Sequence, residues 1–319
     1  MTTTSEVSNV GLQVVSEMEK AVVGTRALLE MVMASILVGG HVLLEDFPGL
    51  GKTLIARSFA TVLGLEFKRI QFTPDLLPAD ITGGYVFNRA ENRFDLRQGP
   101  IFANIILADE INRASPKTQS ALLEAMQERQ VTLEGETLSL PEPFLVLATQ
   151  NPIEYEGTFP LPEAQLDRFM LKLTVGYPSV EEETEILRRR RERMQDDVQL
   201  IMVTSARQLM DLRQAVESVF VDADLEVYIA QLVHETRVDR RVAVGGSPRA
   251  SLAFLKMARA RAALEGRDFI LPDDIKHFAQ PVLGHRLILQ PEYWMARRVA
   301  DEVIHDVLDK VPVPVVKRS

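Results

Sequence analysis

The chain has 319 residues, with 36 Lys and Arg against 45 Asp and Glu, a formal net charge of −9 and no cysteine. That length predicts about two domains burying about three quarters of the extended-chain surface, while the missing thiols exclude disulfides and thiolate metal sites and suit a reducing compartment. The acidity is uneven: residues 1–180 hold 14 Lys and Arg against 22 Asp and Glu, and residues 181–319 hold 22 against 23, so the first half offers no general nucleic-acid face.

Met1 to Val10 is polar and has neither a basic n-region nor an apolar h-region, so no signal peptide is expected. Val14 to Lys20 and Leu28 to Leu37 carry apolar residues at helical spacing, separated by a break at Val22-Val23-Gly24. The longest apolar region, Ala27 to Leu44, is interrupted by Glu30, Gly39, Gly40 and His41 and is too broken to span a bilayer. A soluble, cytoplasmic protein with no integral membrane segment is the expectation.

From His41 to Ala60 a short apolar run (Val42, Leu43, Leu44) gives way to a Gly-rich turn, and Lys52-Thr53 then opens a helical pattern on Leu54, Ile55 and Phe59. Strand, phosphate loop, helix is the order that polyphosphate binding needs. A bent backbone turns its N–H groups inward, and the helix N-terminus adds partial positive charge. Lys52 is placed to reach the β and γ phosphates and Thr53 to hold Mg2+. The pattern G-x-x-x-x-G-K-[ST] is incomplete, because Asp46 stands at the first glycine position. Its carboxylate could shape the turn or weaken phosphate affinity. Pro48, Gly49, Leu50, Gly51 and Leu54 complete the stretch, and Val23 and Gly24 upstream are counted with it as nucleotide-contacting candidates.

Phe67 to Phe72 reads as a second strand, and Gly84 to Phe87 with Arg93 to Leu96 as a hairpin around Asn88 to Asn92. Ile105-Ile106-Leu107-Ala108-Asp109-Glu110 describes a buried parallel strand that delivers two carboxylates at its C-terminal edge, where ligands of open α/β sheets collect. Behind a phosphate loop this is a Walker B pattern: Asp109 for Mg2+ and Glu110 to orient and activate the attacking water. Ser115 to Arg129 is an amphipathic helix, and Gln130 to Leu140 is a second hairpin turning at Glu134-Gly135. Phe144 to Ala148 is another buried strand, ending in Thr149-Gln150-Asn151-Pro152, so that Asn151 is a candidate for positioning water.

Glu154 to Pro162 is loop-like, Glu163 to Phe169 a short helix, and Leu171 to Val175 the last sheet strand, with a domain boundary at Gly176-Tyr177-Pro178. The expected domains are 1–178, an α/β core, and 179–319, helical over 180–194, 206–220, 225–237, 247–264, 272–282 and 292–308. Arg188 to Arg191 reads as a solvated helix face, since Glu181 to Glu183 precede it and Glu185 pairs with Arg189 at i,i+4. The five histidines are dispersed and show no ligand spacing.

The ordered motifs resemble an AAA+ ATPase. Phe47 to Thr53, Ala108 to Ala114, Lys117 to Glu128, Ala148 to Pro152 and Glu163 to Phe169 resemble the MoxR branch in particular, as do Gly246 to Ala250 and Val311 to Pro314. The resemblance implies a P-loop core with a parallel sheet flanked by helices, an all-α lid, ATP and Mg2+ as cofactors, and a homo-oligomeric ring, hexameric by family habit, with ATP between neighbours. It makes Asn151 sensor 1, Arg168 an arginine finger reaching the neighbouring subunit's γ-phosphate, and Arg249 the sensor 2 arginine acting on the same phosphate from the lid. An ion pair with Asp167 or Glu163 is the plainer alternative for Arg168, and Arg113 is a further candidate for acting across the interface. The expected role is remodelling or maturation of a protein client with a partner carrying a von Willebrand factor A domain. A nucleic-acid motor is the alternative: Arg89, Arg93 and Arg97 near the first hairpin favour it, while Glu134 and Glu136 on the second and the acidic core oppose it, so no nucleic-acid partner is expected.

Overall fold

The computed structural model describes residues 2–151, 157–294, 296 and 298–314. Pro152 and the first part of the expected 154–162 loop, up to residue 156, lie outside the described residues. The chain opens with α1 (Thr4–Met18) and α2 (Arg26–Leu37), followed by β1 (Val42–Glu45), α3 (Lys52–Val62) and β2 (Phe67–Gln71). A short α4 (Pro78–Thr82) leads into β3 (Gly83–Asn88) and β4 (Arg93–Gln98), then β5 (Ile105–Asp109), α5 (Pro116–Glu128), β6 (Gln130–Leu133), β7 (Glu136–Ser139), β8 (Leu145–Gln150), α6 (Glu163–Leu166) and β9 (Leu171–Leu173). The remainder is α7 (Val180–Arg193), α8 (Ala206–Glu217), α9 (Ala223–Val238), β10 (Val242–Val244), α10 (Pro248–Leu264), α11 (Pro272–His277), α12 (Ala279–Leu283), β11 (Ile288–Leu289) and α13 (Val299–Lys310).

Five parallel strands form the central sheet in the order β2-β5-β8-β1-β9. β1, β5 and β8 are apolar up to their polar C-terminal ends because both faces of the sheet are covered, and strand alternation sorts their apolar side chains into two clusters. Val42, Leu44, Ile105, Leu107, Leu145 and Leu147 point to the side packed by α1, α2, α3 and the C-terminal helices. Leu43, Ile106, Ala108, Val146 and Ala148 point to the other, where α5 contributes Leu122, Leu123 and Met126. The first cluster continues without a break into Phe254, Met257 and Val303, so the helical half shares an apolar interior with the N-terminal helices.

Helix ends follow local chemistry. Ser115 caps α5 and Ser247 caps α10, each with proline at the next residue, and Ser179 forms a capping box with Glu182 at α7. α1 starts at Thr4, well before the expected Val14, because Thr3 and Glu6 close a capping box ahead of the apolar stripe. The expected helix over 272–282 is broken at Phe278; Pro281 lacks the N–H that an unbroken helix would direct to the His277 carbonyl. The expected helix over 292–308 begins only at Val299, after a single 3-10 turn at Pro291–Tyr293. Within the helical half, β10 and β11 add one short antiparallel ladder. Among the described residues no helix is long and apolar enough to cross a membrane.

Candidate active site

Strand order decides what meets at the C-terminal edge of the sheet. β8 lies between β1 and β5, so the loop after β1, the end of β5 and the end of β8 converge on one cleft. Asp46, Pro48, Gly49, Gly51, Lys52, Thr53, Arg69, Asp109, Glu110, Thr149 and Asn151 line it, around a cavity of about 250 Å³. Gly49 and Gly51 take φ of 86° and 75°, left-handed values that suit glycine. α3 starts directly after Gly51 with no side-chain cap, which leaves its first N–H groups for a ligand.

Lys52 donates from Nζ to the carbonyls of Asp46 (2.6 Å) and Phe47 (3.0 Å). Burial pulls its ammonium below the ordinary lysine value, opposed by the nearby charges of Asp46, Asp109 and Glu110. Asp46 itself is tied down. Its Oδ2 accepts from the Gly176 N–H at 2.6 Å and its Oδ1 from the Phe47 N–H at 2.8 Å, so it braces the loop against the segment after β9. Phe47 stacks on Tyr177 in the same place, with ring centroids 5.6 Å apart.

The two carboxylates after β5 have different settings. Asp109 is buried; its Oδ1 accepts the Thr149 hydroxyl at 2.6 Å and its Oδ2 takes Arg69 Nη2 at 2.6 Å and Nε at 3.0 Å. Glu110 has φ of 56°, a strained value for a residue with a Cβ and of the kind that collects at functional sites. Its N–H is held by the Thr149 hydroxyl at 2.8 Å, and its Oε2 receives Gln71 Nε2 at 2.8 Å and Arg113 Nε at 3.2 Å. Arg113 is therefore engaged by its own chain. Asn151 is buried beside them.

The donor set fits magnesium nucleotide. The Thr53 hydroxyl and the Asp109 carboxylate are hard oxygen ligands in one cleft, and Asp109 already holds a cationic group, the Arg69 guanidinium. Among the described residues no three His, Asp or Glu side chains gather as a self-sufficient metal site. A cation held by one carboxylate, one hydroxyl, water and phosphate oxygens needs none.

Several sequence candidates lie elsewhere. Leu50 and Leu54 do not line the cleft, and Leu54 projects to solvent. Gly24, next to Val23, abuts the Glu182 side chain at the start of α7. Arg168 and Arg249 are brought together in a second cavity of about 230 Å³ between α5, the 167–170 segment and α10, with Gln127, Lys256 and Arg286. Arg168 Nη1 donates to the Leu123 carbonyl at 2.7 Å, and its Nε has no hydrogen-bond partner among the described residues. Asp167 does not pair with it, being held by Arg286 Nε at 2.7 Å and the Ser247 hydroxyl at 2.9 Å. Arg249 Nη2 donates to Gln127 Oε1 at 3.3 Å.

Arg69 and Gln71 were not singled out by the sequence reading. Their alternation on β2, with Gln71 in register with Asp109, places both at the carboxylates once β2 is known to pair with β5.

A family model described as the ATPase family associated with various cellular activities (AAA) matches residues 41–171, and one for an AAA lid domain matches residues 234–307. YeaC of Bacillus subtilis, described as uncharacterized, is 48% identical over 94% of both chains. Chaperone MoxR1 of Mycobacterium tuberculosis is 46% identical over 93% of this chain and 81% of its own. A crystal structure from Cytophaga hutchinsonii, provisionally described as an ATPase, superposes with a TM-score of 0.91 at 41% identity, covering 98% of this chain and 97% of that one. With the cleft at the sheet edge, the lid match and relatives of near full length all agreeing, the chain belongs to the MoxR family of AAA+ ATPases.

Proposed function

We propose that the protein hydrolyses ATP to ADP and phosphate at subunit interfaces of a homo-oligomeric, hexameric ring in the cytoplasm, and uses the cycle to remodel or mature a protein client together with a von Willebrand factor A domain partner. The convergence of Lys52, Thr53, Asp109, Glu110 and Asn151 on one cleft carries the hydrolytic reading. Lys52 and the open N-terminus of α3 bind the phosphates; Thr53 and Asp109 hold Mg2+, which supplies charge neutralisation at the transferred phosphoryl group. Glu110 orients and deprotonates the attacking water, with Asn151 positioning it.

The placement of Arg168 and Arg249 favours a ring. Both border a cavity other than the cleft of their own chain, which suits a role toward a neighbour's γ-phosphate. A finger supplied in trans stabilises spreading negative charge and makes turnover depend on assembly.

The remodelling role rests on the family resemblance, on the chaperone name of the mycobacterial relative and on the hairpins. Hairpins β3–β4 and β6–β7 are joined by a hydrogen bond from the Tyr85 hydroxyl to Glu136. The first exposes Val86, Phe87 and Phe94, an apolar surface suited to a polypeptide. Arg93 there lies between Glu91 and Asp95, whose charges offset its own and favour the protein reading over the nucleic-acid alternative.

Glu110→Gln should retain nucleotide binding and lose steady-state ATP turnover by about 100-fold or more. Wild-type turnover in that variant removes the catalytic assignment. Arg168→Ala subunits should regain turnover when mixed with Lys52→Ala subunits, and no rescue in demonstrably mixed rings counts against the trans finger. The ATP-loaded Glu110→Gln ring should retain a von Willebrand factor A domain protein from extract and release it with ADP; nucleic acid retained instead would favour a motor.

A further inference from the structure

Both oxygens of the Asp109 carboxylate are committed within the chain. Oδ1 is held by the hydroxyl of Thr149, which is fully buried and is itself fixed by the Glu110 N–H. Oδ2 is held by two nitrogens of Arg69, whose side chain is 48% exposed. The two partners are unequal. Withdrawing the Thr149 hydroxyl leaves buried polar groups unpaired, whereas Arg69 can swing into water at small cost. A ligand that takes Oδ2 of Asp109 must therefore displace Arg69.

We propose that Arg69 is a built-in counter-ion that holds Asp109 until metal-bound nucleotide replaces it, so that this residue sets how strongly nucleotide binding depends on magnesium. The inference rests on the nucleotide-site reading above. With Arg69 in place, a metal-free polyphosphate meets Lys52 and a neutralised Asp109. Without it, the Asp109 carboxylate is left without its counter-ion and repels the phosphates, while Glu110 keeps Arg113. Mg2+ gains in the opposite sense, because it no longer competes with a guanidinium for Oδ2. Arg69 Nη2 also donates to Gln71 Oε1 at 2.5 Å, which orients the Gln71 amide toward Glu110 Oε2 at 2.8 Å, so departure of Arg69 loosens the hold on Glu110 as well.

The test is the affinity of a fluorescent ADP analogue for the full-length protein, measured in magnesium chloride and in EDTA, for wild type, Arg69→Gln and Arg69→Met. The readout is the ratio of the two dissociation constants, EDTA over magnesium. Loss of the counter-ion should raise that ratio about five- to tenfold, at the low end of the range for linked sites because Arg69 is half exposed. Most of the change should fall in the EDTA arm. The methionine variant keeps an apolar stem close to that of arginine without the charge and decides the matter if the glutamine variant does not fold. An unchanged or smaller ratio, including equal weakening in both arms, overturns the role of Arg69. A wild-type protein that binds the analogue in neither arm overturns the nucleotide-site reading instead.

Discussion

Replacing Arg286 by methionine should be among the most damaging single changes outside the cleft. Its side chain is 3% exposed and lies between the lid and the segment that carries Arg168. It donates to Asp167 Oδ1 at 2.7 Å and to the carbonyls of Phe169 at 2.6 Å, Met170 at 3.3 Å and Val282. Removing one partner of a buried ion pair costs about 3–5 kcal/mol, chiefly because the other charge is left uncompensated. Asp167 retains the Ser247 hydroxyl and is 20% exposed, which places the cost near the low end, about 3 kcal/mol. For a chain of this size that is a drop in Tm of about 4–5 °C.

Burial pulls the Arg286 guanidinium below its ordinary value despite the nearby Asp167, so desolvation already opposes the pair. The pair's net worth is therefore small even though breaking it is expensive. Arg286→Met with Asp167→Leu should recover much of what the single change loses. Thermal and urea unfolding of both variants at neutral pH check this. A single-variant loss below about 1 kcal/mol, or strict additivity in the double variant, refutes the reasoning.

Acid should destabilise the protein before its carboxylates titrate. Burial depresses His41 to about 4 and holds His285 well below the ordinary histidine value. Both rings are neutral in the folded state. The unfolded chain therefore binds protons first, and stability present above about pH 6.5 falls as pH drops toward 4, by about 3 kcal/mol for His41. Urea unfolding from pH 7 to 4.5 should show this slope, reduced by about one proton in His41→Gln, and an unaltered slope in that variant defeats the assignment. Asp46→Ala should weaken nucleotide binding, since its carboxylate braces the loop through the Gly176 and Phe47 N–H groups, at about 1–3 kcal/mol of stability. Tighter nucleotide binding in that variant would mean that Asp46 acts chiefly by repelling phosphate.

Much of the site was legible along the chain because its parts are local. A strand, a Gly-rich turn and Lys52-Thr53 are contiguous, and the apolar run into Asp109-Glu110 announces a buried strand with carboxylates at its end. Helix caps are equally local: Thr3 and Glu6 carry a capping-box signature three residues apart, ahead of the apolar stripe of α1. The Arg188 to Arg191 run is the surface ion-pair face its acidic neighbours predicted, with Glu185 bonded to both Arg188 and Arg189.

What needed the tertiary structure is every contact that depends on strand order or on docking of the helical half. Sequence alone determined the nucleotide-binding core and its family, because hydrophobic period, turn chemistry and short motifs are written within a few residues of one another. Only the fold decided that Arg69 would sit on Asp109, 40 positions away, that Asp46 would be bound by Gly176, 130 positions away, and that Arg168 and Arg249 would share a cavity. The physical reason is that side chains on different elements meet through register and packing, which no local pattern encodes, and the partner they find there decides whether a charge repels a ligand, waits for it or holds the scaffold together.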